Sequence, residues 1–188
     1  MQSKNAVFIG TSLDGYIADK HGGIEWLDII PNKEGSDMGY YAFMDSIDAL
    51  VMGRKTFEKV LSFGIEWPYK KKVYVLSRTL KTPPEGYADK IEIVAGELAK
   101  VVTSIHKKGD MRLYIDGGET IISFLKADLI NEMIITRIPI LLGSGIPLFG
   151  DLQEPLLFEL VDVKKQLNQL VQSHYIRKRE WPQNLTSS

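Results

Sequence analysis

A pair of glycines stands in Tyr114-Ile115-Asp116-Gly117-Gly118-Glu119-Thr120 where two periodicities meet. Residues 112–115 are rich in strand formers, whereas residues 119–125 carry apolar side chains at helical spacing. The pattern predicts a strand-to-helix joint with glycine at the turn. Such a joint lets main-chain N–H groups approach an anion closely, because glycine has no Cβ and a helix N-terminus carries partial positive charge. By itself the joint has two readings, a phosphate or pyrophosphate cradle and a tight turn that needs positive φ. What separates them is whether other parts of the chain share the same chemistry.

The remaining segments repeat the pattern. Residues 5–11 (NAVFIGT) read as a buried first strand, left through a glycine turn at Ser12-Leu13-Asp14-Gly15. Residues 19–31 form a polar, glycine-containing loop whose Trp26 and Leu27 are either pinned to the core or line a pocket. Asp37 caps or opens a short helix with Tyr40, Tyr41, Phe43 and Met44 on its apolar side. Residues 49–52 read as a strand ending at Gly53-Arg54-Lys55-Thr56, with a helix over 57–61, and residues 73–76 as a strand ending at Ser77-Arg78. A strand over 91–94 leads into a helix over 97–107. Residues 132–142 form a long β-rich run in which Pro139 marks a bulge or an edge. Residues 158–165 and 170–179 alternate with period two around a Gln/Asn turn, an antiparallel hairpin. Strands alternating with helices and closing in a hairpin predict an α/β fold, with one mostly parallel sheet flanked by helices and an antiparallel C-terminal edge. We expect a single domain over residues 1–180 and a polar tail over 181–188.

Composition excludes several functions. Against 24 acidic residues stand 23 basic ones, and no basic run resembles a nucleic-acid arm, so no nucleic-acid partner is expected. The absence of cysteine removes disulfides, thiol nucleophiles and thiolate metal sites together. His21, His106 and His174 lack the spacing of metal ligands, and no metal is expected. No apolar run approaches the roughly 18 residues of a membrane span, and no basic segment followed by an apolar one opens the chain. The expectation is a cytoplasmic protein that neither spans nor binds a membrane.

Three strand ends carry groups suited to anions: Gly53-Arg54-Lys55-Thr56, Ser77-Arg78 and Gly117-Gly118-Glu119-Thr120. The first offers a helix N-terminus with two cations, the second a hydroxyl with a guanidinium, the third bare main-chain amides. Carboxyl ends of parallel strands share one rim, so the three would face a common ligand. Together they match a dinucleotide with an extra phosphate on its ribose, since Arg grips a terminal phosphate and helix N-termini hold a pyrophosphate.

These motifs occur in order with others: Ser12-Leu13-Asp14-Gly15 with Ile17-Ala18, Val51-Met52-Gly53-Arg54-Lys55-Thr56, Val75-Leu76-Ser77-Arg78, Asp116-Gly117-Gly118, and Leu141-Leu142-Gly143-Ser144-Gly145-Ile146-Pro147-Leu148-Phe149. The set resembles the dihydrofolate reductase superfamily, and within it the reductase domain of the riboflavin-biosynthesis deaminase-reductase. The resemblance runs from about Val7 to Arg179. It implies a dihydrofolate reductase-like fold and NADPH as cofactor. By that resemblance Gly53, Arg54, Lys55 and Thr56 lie beside the pyrophosphate and adenosine ribose, and Ser77 and Arg78 at the 2′-phosphate, with Leu76 also among the cofactor-binding residues. Gly117, Gly118, Glu119 and Thr120 line the pyrophosphate, and Ile17 and Ala18 lie near the nicotinamide. Gly143-Ser144-Gly145 runs into Pro147 and not into a helix, so it reads as a loop between late strands and not as a dinucleotide fingerprint.

On the substrate side the resemblance implies one acid on the first helix, and Asp37 holds that place. A carboxyl half-buried against Tyr40, Tyr41 and Trp26 would have a raised pKa and could orient a heterocycle or deliver a proton. The alternative is that Asp37 is a helix cap. Trp26, Asp37 and Tyr41 are thus the expected substrate contacts, Asp37 the expected catalytic residue, and Arg137 a candidate for a substrate phosphate. Asp14 is expected to make a turn, and Glu66-Trp67-Pro68-Tyr69 to pack. The implied activity is that of 5-amino-6-(5-phosphoribosylamino)uracil reductase, with a pteridine reductase as the alternative. The 188 residues hold no counterpart of the deaminase half and its zinc ligands. A non-catalytic nucleotide-binding protein and an FMN carrier are the rivals from other classes. The resemblance also implies a homodimer, with the late apolar strands as its surface.

Overall fold

A computed structural model describes residues 3–180, so the expected tail over 181–188 lies outside the described residues. The elements in chain order are β1 (Lys4–Thr11), β2 (Tyr16–Asp19), a 3-10 turn at Glu25–Asp28, α1 (Tyr40–Ser46), β3 (Ala49–Gly53), α2 (Arg54–Ser62), β4 (Lys72–Leu76) and β5 (Ile91–Val94). They continue with α3 (Leu98–Lys107), β6 (Arg112–Asp116), α4 (Gly118–Lys126), β7 (Glu132–Arg137), β8 (Gly145–Pro147), β9 (Phe158–Gln166) and β10 (Leu170–Arg177). Among the described residues no helix is long and apolar enough to cross a membrane.

Eight strands form one sheet in the order β5-β4-β3-β6-β1-β7-β10-β9. The first six are parallel and β10 returns antiparallel to β7 and β9, which is the mixed sheet with an antiparallel hairpin expected from the sequence. Buried strands alternate between two cores, as a pleat with period two requires. Leu113 and Ile115 of β6 join Val7, Val51, Val102, Ile121 and Phe124 on the face covered by α3 and α4. Tyr114, between them, joins Ala6, Phe43, Leu50, Met52 and Phe57 on the face covered by α1 and α2. The next side chain on that second face is Asp116.

Two segments depart from the expectation. The run over 132–142 stops being a strand at Arg137: Ile138 donates once more to Thr11 O (2.7 Å), and Pro139 then removes the next donor. Ile138, Ile140 and Leu142 are apolar because they close a third core with Trp26, Leu170 and Met38. The glycine turn after β1 leads into a strand: β2 pairs antiparallel with β8, 126 residues on, as a separate two-stranded sheet. The Gly143-Ser144-Gly145 loop is the approach to that pairing.

Candidate active site

The carboxyl ends of β4, β3, β6 and β1 lie side by side, with Gly53 in register with Leu76 and Met52 with Asp116. The three anion-friendly stretches therefore emerge on one rim. Two of them meet in a reciprocal way. α2 follows Gly53 and α4 follows Gly117, and the third residue of each helix packs against the glycine that precedes the other. A Cβ on Gly53 would stand 3.0 Å from Thr120 Oγ1. A Cβ on Gly117 would overlap Thr56 Oγ1 and lie 3.1 Å from Thr56 Cβ. Gly117 also has φ 87° and ψ 134°, a conformation that a side chain would strain. Glycine at both positions is what lets the two helix N-termini abut, and their unpaired amides with them.

The charged groups of the rim are interlinked. Lys55 Nζ lies 2.6 Å from Glu119 Oε1, joining the first turns of α2 and α4. Arg54 pairs with Glu58 (2.6 Å) and donates to Thr79 Oγ1 (2.8 Å), which ties α2 to the turn after β4. In that turn Ser77 Oγ accepts the amides of Thr79 (3.2 Å) and Leu80 (2.9 Å), and Leu76 packs on the core. Arg78 is exposed, and its guanidinium has no hydrogen-bond or ion-pair partner among the described residues. Among the described residues no group neutralises this cation, which lies two positions beyond the end of β4.

The β2–β8 sheet lies over this cradle. A Cβ on Gly118 would be 2.7 Å from Ile17 Cδ1 and 3.4 Å from Ile146 Cγ2, so both side chains rest on the start of α4, while Ala18 is buried in the pairing with β8. Asp14 does more than turn the chain. Its carboxylate accepts the amides of Gly143 (2.7 Å) and Leu142 (3.2 Å) and the Ser12 hydroxyl (2.5 Å), fastening the approach to β8. The Ser12 hydroxyl leads the contacts that hold its pKa below the usual carboxylate value.

The sequence-derived substrate residues are arranged differently from the expectation. Asp37 accepts the amides of Tyr41 (2.7 Å) and Gly39 (3.1 Å), which fixes the first turn of α1. Those bonds hold its pKa down, so the raised value expected for a half-buried acid is not found. Trp26 is only 8 % exposed and its ring belongs to the third core, with its indole N–H donated to Gly23 O (3.3 Å). It forms no open wall beside Asp37. Tyr41 is 71 % exposed, its ring 6.3 Å from that of Tyr40. Arg137 is in register with Thr11, two residues beyond Ile135 of the α3/α4 core. Alternation therefore puts it on the sheet face opposite Asp116.

The acid that sequence reasoning passed over is Asp116. It ends β6 half-buried, its Oδ1 accepting the Gly117 amide at 2.8 Å. Burial pushes its pKa up, opposed only in part by that amide. Around it stand Tyr40, Tyr69 and Tyr114, each with its phenol pKa raised first by burial and then by the Asp116 charge. Phe8 backs this group, 5.6 Å from the Tyr40 ring, and its carbonyl accepts the Tyr114 hydroxyl at 2.9 Å. Tyr69 packs edge-on against Trp67 at 5.2 Å, so the 66–69 segment packs as expected. The signal in the sequence was an ionisable residue closing an otherwise apolar strand immediately before two glycines. Asp116 at the end of β6 thus adjoins the rim on which the α2 and α4 N-termini meet, with Tyr40 at the start of α1 and Tyr69 ahead of β4 packed on the same core.

Comparison with known proteins gives this geometry a lineage. The family model described as the RibD C-terminal domain matches residues 5–172. Two proteins of Bacillus subtilis (strain 168), both described as uncharacterized, are similar across most of the chain. YwjB is 37% identical over 180 residues, covering 94% of this chain and 99% of the relative. YyaP is 27% identical, with 89% and 91% covered. A crystal structure from Shewanella sp. PV-4, named provisionally as a riboflavin biosynthesis protein, shares 52% identity with a TM-score of 0.92, over 94% of this chain and 99% of that one. The deaminase/5-amino-6-(5-phosphoribosylamino)uracil reductase of Thermotoga maritima shares the fold at 15% identity, with a TM-score of 0.69. That match covers 94% of this chain and 57% of the longer protein. Matched from the first strand into the last, and closely similar to full-length relatives, the chain belongs to the RibD C-terminal domain family.

Proposed function

We propose that this chain is an NADPH-dependent reductase acting on a C=N or C=O bond of a planar heterocycle or of a sugar attached to one. The observation that carries the reading is the meeting of the α2 and α4 N-termini on the strand-end rim that also carries Arg78, whose guanidinium has no partner among the described residues. The residues fit the cofactor: Gly53 and Gly117, each packed by the threonine of the other unit, let two helix N-termini abut, and the exposed Arg78 follows the end of the neighbouring strand β4 on the same rim. The main-chain amides of the stretches Gly53 to Thr56 and Gly117 to Thr120 would hold the pyrophosphate, Ser77 and Arg78 the 2′-phosphate, and Ile17 and Ala18 would close over the reacting end. NADPH bound there supplies a hydride.

The chain's own residues do the rest. Asp116 and the phenols of Tyr40 and Tyr69 present hydrogen-bonding groups to the edge of an acceptor, backed by Phe8. With its pKa raised by burial, Asp116 keeps a larger protonated fraction near neutrality than an exposed aspartate, so it is the better proton source. Asp37, held ionised by two amides, orients α1 and its Tyr40 and Tyr41. Most of the rate would come from placing donor and acceptor in contact, the acid adding a smaller factor. The riboflavin-pathway aminouracil phosphate is the acceptor the family name suggests, and a pteridine is the alternative. The test is a screen of NADPH oxidation against aminopyrimidine ribosides, their phosphates, pteridines and small carbonyl compounds, preceded by thermal-shift titration with NADPH, NADH and FMN. A larger shift with FMN, or none with NADPH, would remove the reading.

The protein is also expected to be a homodimer. β9 is a nine-residue edge strand with Leu160, Val161 and Val163 about half exposed, a liability that single chains usually cover. Its charges run from acidic (Glu159, Asp162) to basic (Lys164, Lys165), so a second copy laid antiparallel meets opposite charges.

A further inference from the structure

The two strand-glycine-helix units of the rim are alike position by position. Gly53-Arg54-Lys55-Thr56 opens α2 and Gly117-Gly118-Glu119-Thr120 opens α4, each glycine packed by the threonine of the other unit. Within this match Lys55 and Glu119 occupy equivalent places and carry opposite charges. They pair at 2.6 Å although both side chains are largely in solvent, at 80% and 75% exposure. Their placement on the helices is unequal. Glu119 is favoured at the positive end of α4, whereas Lys55 lies against the same sign at the start of α2. An exposed pair of this kind is weak and exchanges readily. Its position is what matters, because it bridges the two N-termini whose amides would receive a pyrophosphate.

Resting on the NADPH reading of this site, we infer that Glu119 is a resident counter-anion. It holds the Lys55 ammonium at the cradle while the cradle is empty and is displaced from it when a polyphosphate arrives. The ligand then meets a cation already in place, at the cost of a carboxylate that must turn away into solvent. Glu119 is thus a positioning residue that weakens cofactor binding, unlike the glycines and Arg78, which strengthen it. It makes affinity depend on ionic strength in a particular way. Salt screens both the attraction of Lys55 and the repulsion of Glu119, so the charge difference between parent and variant narrows as salt rises.

The experiment is a titration of the full-length protein with NADPH, and separately with inorganic pyrophosphate, by calorimetry at low and at physiological salt. Parent, Glu119→Gln, Lys55→Gln and the double variant are compared, with circular dichroism confirming that each is folded. Glu119→Gln should bind both ligands about three- to tenfold more tightly at low salt, the scale of one removed surface charge close to a phosphate. The gain should shrink at physiological salt and fall at least by half in the Lys55→Gln background. Unchanged or weaker binding by Glu119→Gln, or an equal gain with and without Lys55, would overturn the inference. If the parent binds pyrophosphate but not NADPH, the cofactor reading fails while the comparison with pyrophosphate still decides the role of Glu119. If it binds neither, both fall.

Discussion

Gly117→Ala offers the most direct test of how the cradle is built, because two separable costs act at one atom. The residue has φ 87° and ψ 134°, a region that glycine occupies freely and alanine does not, for about 1–3 kcal/mol. The new Cβ would also overlap Thr56 Oγ1 and stand 3.1 Å from Thr56 Cβ, an overpacking of about 1–3 kcal/mol. The sum, about 2–6 kcal/mol, is a large part of the total stability of a domain of this size. Urea denaturation with the slope checked for constancy measures it. Two controls separate the terms. Gly118→Ala has no positive φ, and its one overlap is with the terminal Cδ1 of Ile17 at 2.7 Å, the nearest other atoms being at 3.4 Å or more, so it should cost less than about 1.5 kcal/mol. Thr56→Ala in the Gly117→Ala background removes the overlapping hydroxyl and should return about 1–2 kcal/mol relative to Thr56→Ala alone, leaving the backbone term. If Gly117→Ala cost no more than Gly118→Ala, or ignored the residue at position 56, the abutting helix N-termini would not be the constraint described.

Other outcomes follow from the same geometry. Arg78→Ala should reduce the preference for NADPH over NADH by about 1–3 kcal/mol, the scale of a charge-assisted contact, and equal affinities in the parent would refute its role. Asp116→Asn should lower turnover and remove the fall in rate that accompanies ionisation of Asp116 as pH rises, whereas Asp37→Asn should leave the shape of the profile unchanged. Because burial raises the folded-state pKa of Asp116, its protonation stabilises the native state fully below the unfolded value and is lost as pH rises through the folded one. Asp116→Asn should therefore be more stable than the parent near neutrality, with the gap closing toward acid, and denaturation curves across pH read the sign. Leu160→Lys with Val163→Lys should convert a dimer to a folded monomer in sedimentation, and a monomeric parent would refute the covered edge.

Legibility in the sequence followed the range of the interactions. The β3–α2 and β6–α4 units were readable because strand period, glycine and helix period lie within about ten residues of one another. β2 and β8 were not, since strands of four and three residues carry no periodicity and their partners are far apart in the chain. The apolar alternation past Arg137 imitated a strand because Ile138, Ile140 and Leu142 answer to Trp26 and Leu170, a packing that no local window contains. The same packing decided between the two readings of Trp26. Asp37 lies ahead of α1, whose N-cap is Gly39, and the direction of its pKa depends on two main-chain amides that only the fold supplies. Asp116 stands before the glycines in the sequence, but its burial depends on a core to which Tyr40 and Tyr69, remote in sequence, contribute.

That adjacency gives the site its logic. β6 ends with Asp116 directed to the α1/α2 face and Gly117 turned into the cradle, two neighbouring residues whose Cα atoms are about 3.8 Å apart. The Gly117 amide is spent on the Asp116 carboxylate, so the group that would meet the acceptor and the turn that would meet the phosphates share a hydrogen bond as well as a peptide. A displacement of the β6 terminus cannot move one without the other. Since Thr56 of α2 packs on Gly117, the neighbouring unit sets the position of both. Lost contact at Thr56 should therefore appear in the ionisation of Asp116 and in nucleotide affinity together, which neither a purely structural glycine nor an isolated acid would produce.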